Sequence, residues 1–180
     1  MKNGISMLDP ASEQAMREIL PIVQKNGRLL ETGTGWGDSS KFFSDLLPDW
    51  VIYTIDAFGL YGDGRIYSEF KHDDIKEIID SHPKNVIQIL SDAGREIKWE
   101  LPLDVLYIDD DHRYEGCKAA YLNYGSFLKK GGLIIFDDYI QENNPTNGVK
   151  KVVEELLNGS FGWSKFKILY SGVSIILQKI

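Results

Sequence analysis

Acidic side chains that could hold a cation occur in two short runs, each directly after an apolar segment. The runs are Asp109-Asp110-Asp111-His112, after VLYI, and Asp137-Asp138, after GLIIF. Carboxylates packed together repel one another unless a cation or a proton neutralises them. All-oxygen ligands favour Mg²⁺, and a bound cation lowers the pKa of a coordinated hydroxyl group. The pattern predicts a divalent metal that activates a hydroxyl, with His112 placed to receive the proton.

Two other interpretations of the acidic runs stay open. The cluster would also serve acid–base chemistry without a metal, or the binding of a cationic group. In the second interpretation, some of the acids, Asp110 above all, merely cap helices or contact solvent.

A glycine-rich turn follows the apolar pair at 29–30. Its sequence, ETGTGWG from Glu31 to Gly37, has the spacing G-x-G-x-G, whereas dinucleotide-binding folds use G-x-G-x-x-G. Glycines let the backbone turn sharply and approach a ligand closely. The Glu31 carboxylate would repel a pyrophosphate but suits a sulfonium or an amino group. Asp56 lies 23 residues after Gly33, where an acceptor for ribose hydroxyls belongs, and Asp92 is placed to face an adenine.

The segments that must position these residues alternate between strand and helix, which predicts a doubly wound, mostly parallel α/β sheet. Adjacent parallel strands bring both acidic runs to one sheet edge. Gly131-Gly132 is predicted to close the fourth helix. Ser171-Gly172 predicts a two-residue turn in a C-terminal antiparallel hairpin. The predicted strands are 29–30, 51–55, 86–90, 105–108, 133–136, 166–170 and 173–178, and helices begin near 10, 42, 73, 117 and 149.

Length and composition narrow the class of protein. A chain of 180 residues with 43% hydrophobic content suits one domain, 1–180, with an N-terminal helix within 1–27. The net charge of −7 argues against a nucleic-acid partner, and no apolar run approaches the roughly 20 residues that cross a bilayer. One cysteine, Cys117, and a polar start predict a soluble cytoplasmic protein. Nothing in the sequence indicates an oligomeric state.

The chain resembles the class I S-adenosylmethionine-dependent methyltransferases, in particular methyltransferase family 24. The resemblance rests on LLETGTGWGDSS, on YTIDAFG, on the block from DVLYIDDDH to GGLIIFDDY, and on GVKKVVEELL. It implies a Rossmann-like sheet of seven strands with the last strand antiparallel, and S-adenosylmethionine as the cofactor. The predicted cofactor contacts, including neighbours of the motif positions, are Glu31, Gly33, Thr34, Gly35, Trp36, Asp56, Asp92 and Asp109.

The acidic block is also similar to that of metal-dependent O-methyltransferases acting on catechols and on antibiotic sugars. These enzymes place one metal-binding aspartate after the fourth strand and an acidic pair 28 and 29 residues later. Asp109, Asp137 and Asp138 match that spacing and are the implied metal ligands. The catechol enzymes carry a basic lysine where this chain has His112. Long lid segments are missing, so the aromatic-rich stretch 57–72 is predicted to be a substrate lid.

Together these features predict methyl transfer to a hydroxyl group of a small molecule or sugar, assisted by a divalent metal, with Asp109 or His112 removing the proton. Three alternatives stay open. They are a non-catalytic module that binds the cofactor or a partner, an NAD(P)-dependent oxidoreductase, and a metal-dependent hydroxylase on the same sheet.

Overall fold

The computed structural model describes residues 8–23, 25–59, 70–95, 97–140, 147–162 and 165–180. Helices and strands alternate along this part of the chain. In order they are α1 Pro10–Val23, β1 Arg28–Thr32, α2 Asp38–Leu46, β2 Val51–Asp56, α3 His72–Asp80, β3 Val86–Leu90, β4 Leu103–Ile108, α4 Tyr114–Tyr124, β5 Leu128–Phe136, α5 Val149–Leu157, β6 Phe166–Ser171 and β7 Ile175–Lys179.

The seven strands form one sheet in the order β3-β2-β1-β4-β5-β7-β6. The first five are parallel, β7 pairs antiparallel with β5, and β6 pairs antiparallel with β7. The predicted mostly parallel sheet with an antiparallel C-terminal hairpin is therefore confirmed. The strand order reverses between β1 and β4, and ligands of open α/β sheets bind beyond the carboxyl ends of strands at such a switch point.

Two apolar layers cover the sheet, and successive strand residues alternate between them. Leu30 and Leu106 lie in the layer under α4 and α5, whereas Leu29, Val105 and Tyr107 lie in the layer under α1 and α2. Every residue of β4 is buried. Asp109 therefore follows directly on the most deeply buried strand, which fixes its position at the sheet edge.

Two predicted turns are wrong in detail. Gly131-Gly132 does not close α4, which ends at Tyr124 and is followed by a 3₁₀ turn; the glycine pair lies inside β5. A Cβ on Gly132 would lie 2.9 Å from the carbonyl oxygen of Asp104, so the glycine allows β5 to pass close to β4 where their register shifts. The hairpin connection has three residues, 172–174, because the backbone N–H of Ser174 bonds to the Ser12 side chain rather than to a strand.

Other local predictions concern the N-terminal region and the lid. Asp9 caps α1, which begins where the sequence predicts, by accepting a hydrogen bond from the Ser12 N–H at 2.9 Å. Most of the predicted lid, including Tyr61 and Tyr67, lies outside the described residues, and its role stays a prediction, as does the single-domain organisation. In the described ranges, the helices are too short or too polar to cross a membrane.

Candidate functional site

A cleft of about 520 Å³ opens at the carboxyl ends of β1, β2 and β4, at the switch point of the sheet. A smaller cavity of about 120 Å³, lined by Leu8, Thr34 and Trp36 among others, shares Gly33, Gly35 and Asp109 with it. The cleft brings together residues that the sequence predicts as cofactor contacts. They are Gly33, Gly35, Asp56, Asp92 and Asp109, with Ile55, Ala57, Gly59, Ala93, Asp110, Asp111 and Arg113 completing the wall.

The glycine turn is shaped by its contact with the end of β4. Gly33 has a φ of +89°, and a Cβ there would lie 2.1 Å from the carbonyl oxygen of Asp109. No other residue fits this position, because both the backbone conformation and the space exclude a side chain. The turn therefore holds the ends of β1 and β4 side by side and leaves backbone N–H groups at the cleft. One of them, that of Gly35, donates to Asp56 Oδ2 at 2.9 Å.

Asp56 is fixed from two sides at the end of β2. Its Oδ2 accepts the Gly35 N–H and its Oδ1 accepts the Phe58 N–H at 2.6 Å. Phe58 has a left-handed backbone, with φ of +48°, and its ring is buried against Phe70, which also contacts Trp36 at 4.6 Å between ring centroids. Each carboxylate oxygen retains a lone pair, so Asp56 can still accept the hydroxyls of a ribose.

Asp92 and Thr34 lie at the two ends of the predicted cofactor region, and only Thr34 is buried. The Asp92 carboxylate lines the cleft after β3 and accepts the Gly94 N–H at 2.8 Å. The Thr34 hydroxyl is buried and lies 2.7 Å from that of Thr54 and 3.2 Å from the Gln88 carbonyl. Thr34 thus supports the turn from beneath while its backbone remains part of the cavity wall.

Glu31 does not face the cleft, although its sequence position predicts a cofactor contact. Its side chain is fully buried, and its two oxygens accept hydrogen bonds from the hydroxyls of Ser39 and Ser40 in the first turn of α2. Burial raises the pKa of Glu31 to about 7, against the opposing effect of these hydrogen bonds. The carboxylate therefore anchors the start of α2 beneath the glycine turn.

His112 lies between two of the predicted metal ligands. Its Nε2 is 3.1 Å from Asp109 Oδ1, and its Nδ1 is 3.0 Å from Asp138 Oδ2. Hydrogen bonds to these carboxylates raise the pKa of His112 to about 10, so the ring is a cation that donates from both nitrogens. Burial raises the pKa of Asp109 to about 7.

The neighbouring acids Asp137 and Asp138 point in different directions. Asp137 is 8% exposed and accepts hydrogen bonds from the hydroxyls of Tyr107, at 3.1 Å, and Ser174. Asp138 has a left-handed backbone, with φ of +51°, which turns its side chain towards His112. A non-glycine residue in this conformation is strained, and such strain concentrates at functional sites.

The other two acids of the first run differ from one another. Asp110 lines the cleft and accepts the Thr32 hydroxyl at 3.2 Å, and burial raises its pKa to about 6. It is therefore not the exposed helix cap that one interpretation of the sequence proposes. Asp111 pairs with the Arg113 guanidinium, whose hydrogen bonds lower the pKa of the Asp111 carboxyl.

The side chains of the acidic cluster are of the chemical type that binds a divalent cation. As the side chains lie, no group of three or more acidic, histidine or cysteine residues in the described ranges is arranged to hold a metal ion. The predicted ligands Asp109, Asp137 and Asp138 are all carboxylates, the ligand type that Mg²⁺ prefers. The His112 ring stands in for a cation between two of them. The donor set thus fits a hard divalent ion that would take over this neutralising role.

Buried hydroxyls complete the site, and no sequence motif predicts them. Tyr107 lies in the apolar run VLYI of β4, and Ser174 follows the hairpin turn. The available signal is that a tyrosine lies two residues before Asp109 in a run that is otherwise apolar.

Comparisons with known proteins identify the family of the chain. A family model described as a methyltransferase domain matches residues 30–139, a range that includes the glycine turn, Asp56 and both acidic runs. An uncharacterised protein of Acanthamoeba polyphaga mimivirus is 31% identical over 70 residues. That match covers 37% of this chain and 32% of the relative, so the chain spans about a third of the relative's length.

Solved structures share the fold at low sequence identity. A Staphylococcus aureus protein proposed to be a caffeoyl-CoA O-methyltransferase has a TM-score of 0.68 at 19% identity, covering 99% of this chain and 87% of that one. A TDP-rhamnose 3'-O-methyltransferase of calicheamicin biosynthesis has a TM-score of 0.64 at 18% identity, with coverages of 93% and 78%. The mycinamycin enzyme MycE, solved with Mg, S-adenosylhomocysteine and mycinamycin VI, has a TM-score of 0.66 at 14% identity, covering 98% of this chain and 51% of that one.

Proposed function

We propose that this chain, which belongs to the methyltransferase domain family of S-adenosylmethionine-dependent enzymes, methylates a hydroxyl group of a small molecule or sugar. One observation carries the proposal: the glycine turn and the acidic cluster meet at Gly33 and Asp109, where a Cβ would collide with the Asp109 carbonyl. A cofactor seated on the turn would therefore have its reactive end beside the carboxylates.

The cofactor would lie along the cleft in one direction. The ribose hydroxyls would bond to Asp56 at the end of β2, and the adenine would lie towards Asp92 beyond β3. The methionine portion would then lie over Gly33 and Gly35, whose backbone leaves room for it. In this orientation the methyl group to be transferred would lie towards Asp109 and the cavity beside Trp36.

Methyl transfer is an in-line displacement, in which the acceptor oxygen bonds to the methyl carbon while the bond from sulfur to that carbon breaks. The enzyme must align the two groups and remove the hydroxyl proton. Asp109 or His112, which lie 3.1 Å apart, would accept that proton.

A divalent cation, Mg²⁺ by ligand type, would be held by Asp109, Asp137 and Asp138. When bound, it supplies Lewis acidity that lowers the pKa of the acceptor hydroxyl. The structural relatives, which include a TDP-rhamnose 3'-O-methyltransferase and an enzyme bound to Mg and mycinamycin VI, support this choice of metal and acceptor class.

The test is production of S-adenosylhomocysteine from S-adenosylmethionine across a panel of catechols, sugars and glycosylated compounds, with Mg²⁺ or with EDTA. We expect turnover with at least one hydroxyl acceptor and its loss in the Asp137→Ala, Asp138→Ala double variant, while S-adenosylhomocysteine still binds. Asp45→Ala removes an exposed acid on α2 and provides the matched control. Turnover that persists unchanged in the double variant would contradict the role of the acidic pair.

A further inference from the structure

Asp137 is joined to helix α1 through two buried serines. The Ser174 hydroxyl donates to Asp137 Oδ1, and the backbone N–H of Ser174 donates to Ser12 Oγ at 3.0 Å. Both serine side chains are fully buried. On its other side, Asp137 Oδ2 accepts the Tyr107 hydroxyl, which also lies 3.3 Å from Asp109 Oδ2. A continuous set of hydrogen bonds therefore runs from the first turn of α1 to the acidic cluster.

The partners of Asp137 determine where its carboxylate points. A buried carboxylate is stable only where hydrogen bonds replace its hydration, so it turns towards the donors that its surroundings supply. Here Ser174 and Tyr107 supply one donor to each oxygen. The Asp138 carboxylate turns to His112 instead. The different directions of two adjacent acids thus depend on a hydroxyl in the β6–β7 connection.

The connection itself is shaped by the same bonds. Ser174 lies between β6 and β7, and its N–H bonds to Ser12 instead of to a strand partner. Ser12 and Ser174 both lie outside residues 30–139, the range that the family model matches. The elements that orient Asp137 therefore lie before and after the segment that carries the motifs.

We propose that Ser174, held in place by Ser12, is a positioning residue for Asp137 and makes helix α1 part of the active site. The inference rests on the proposed function in one respect, that Asp137 is a metal ligand. A serine that orients a ligand affects metal affinity, whereas a serine that only fills the core affects stability alone.

The first experiment measures Mn²⁺ binding by calorimetry in the presence of S-adenosylhomocysteine. We expect Ser174→Ala to weaken Mn²⁺ binding about tenfold or more, as loss of an outer partner of a ligand does, while the affinity for S-adenosylhomocysteine stays unchanged. Ser12→Ala should weaken Mn²⁺ binding in the same direction. Ser44→Ala provides the matched control, because Ser44 is also buried but bonds to Asn85, away from the cluster. Equal Mn²⁺ affinity in Ser174→Ala and the wild-type protein would overturn the proposal, as would an equal loss in Ser44→Ala.

A second experiment does not depend on the metal. Urea unfolding free energies are measured for Ser174→Ala, Asp137→Ala and the double variant. If Ser174 acts on Asp137, the double variant loses less than the sum of the two single losses, since both remove the same hydrogen bond. Additive losses would overturn the proposal. Wild-type protein that binds no Mn²⁺ would refute the metal in the proposed function, and this cycle would still decide the role of Ser174.

If Ser174→Ala does not fold, Ser174→Cys keeps a side chain of similar size with a weaker donor. It should bind Mn²⁺ more weakly than the wild-type protein, without loss of affinity for S-adenosylhomocysteine. Wild-type Mn²⁺ affinity in this variant and in Ser12→Ala would overturn the proposal.

Discussion

Replacing Glu31 by glutamine should change the pH dependence of stability. The free energy of unfolding of the variant, minus that of the wild type, should be larger at neutral and alkaline pH than at acidic pH. Glu31 is fully buried, and its pKa is raised from 4.5 to about 7 by burial. Because the pKa is higher in the folded state, folding is most favoured below about pH 4.5, where the carboxyl group is protonated in both states. That stability is lost as the pH rises to about 7 and does not return above it.

The magnitude follows from the two pKa values. A rise from 4.5 to about 7 corresponds to about 3 kcal/mol of unfolding free energy, at about 1.4 kcal/mol for each tenfold change in the proton equilibrium. Roughly 2.5 kcal/mol of this falls between about pH 5 and about pH 8.5. Glutamine keeps the shape of the side chain and can bond to the hydroxyls of Ser39 and Ser40 without carrying a charge.

The assay is urea unfolding of the wild-type protein and Glu31→Gln across that pH range. The free energy of unfolding of the variant, minus that of the wild type, should increase with pH and become constant above about pH 8. Glu18→Gln, which removes an exposed carboxylate on α1, is the control for general effects of charge. A difference between Glu31→Gln and wild type that does not vary with pH would refute the reasoning.

Three further predictions test the remaining contacts of the site. Gly33→Ala should lower the free energy of unfolding, measured in urea, by about 3 kcal/mol or more, because its Cβ meets the Asp109 carbonyl. In Gly35→Ala the Cβ meets nothing within 4 Å, and the free energy of unfolding should fall by about 1 kcal/mol. Equal losses in the two variants would contradict the close contact at Gly33. Asp56→Asn should weaken S-adenosylhomocysteine binding at least about tenfold in calorimetry, and unchanged affinity would remove Asp56 from the cofactor site. His112→Ala should lower the melting temperature, because it leaves the Asp109 and Asp138 carboxylates without the cation between them, and Mg²⁺ should restore part of the loss. A melting temperature that does not respond to Mg²⁺ in this variant would argue against a metal between the two carboxylates.

The fold could be predicted because its signals are local. Apolar runs that end in glycine or acidic residues alternate with helical spacing, and this alternation specifies a parallel sheet. The predictions are wrong where contacts between residues far apart in the sequence determine the local structure. The backbone N–H of Ser174 bonds to Ser12, which is 162 residues away in sequence, instead of to a strand of the hairpin. The pair Gly131-Gly132 has the composition of a helix end, but its place in β5 depends on the nearby Asp104 carbonyl.

The candidate site likewise contains residues whose positions could be predicted from the sequence and residues whose positions could not. Asp56 and Asp109 could be placed at the cleft because Asp56 ends β2 and Asp109 directly follows β4, and strand ends of a parallel sheet share one edge. The direction of Glu31 could not be predicted, because it depends on two serine hydroxyls of α2. The position of His112 between two carboxylates depends on the left-handed backbone of Asp138, which sequence spacing does not reveal.

The most direct test of the central claim is calorimetric titration of the purified protein with S-adenosylmethionine, S-adenosylhomocysteine and NADH. The cleft lined by Gly33, Asp56 and Asp92 predicts saturable binding of both methionine-derived ligands and no binding of NADH. Binding of NADH alone would favour an oxidoreductase on the same sheet. Absence of binding by either methionine-derived ligand would contradict the assignment of this cleft as the cofactor site.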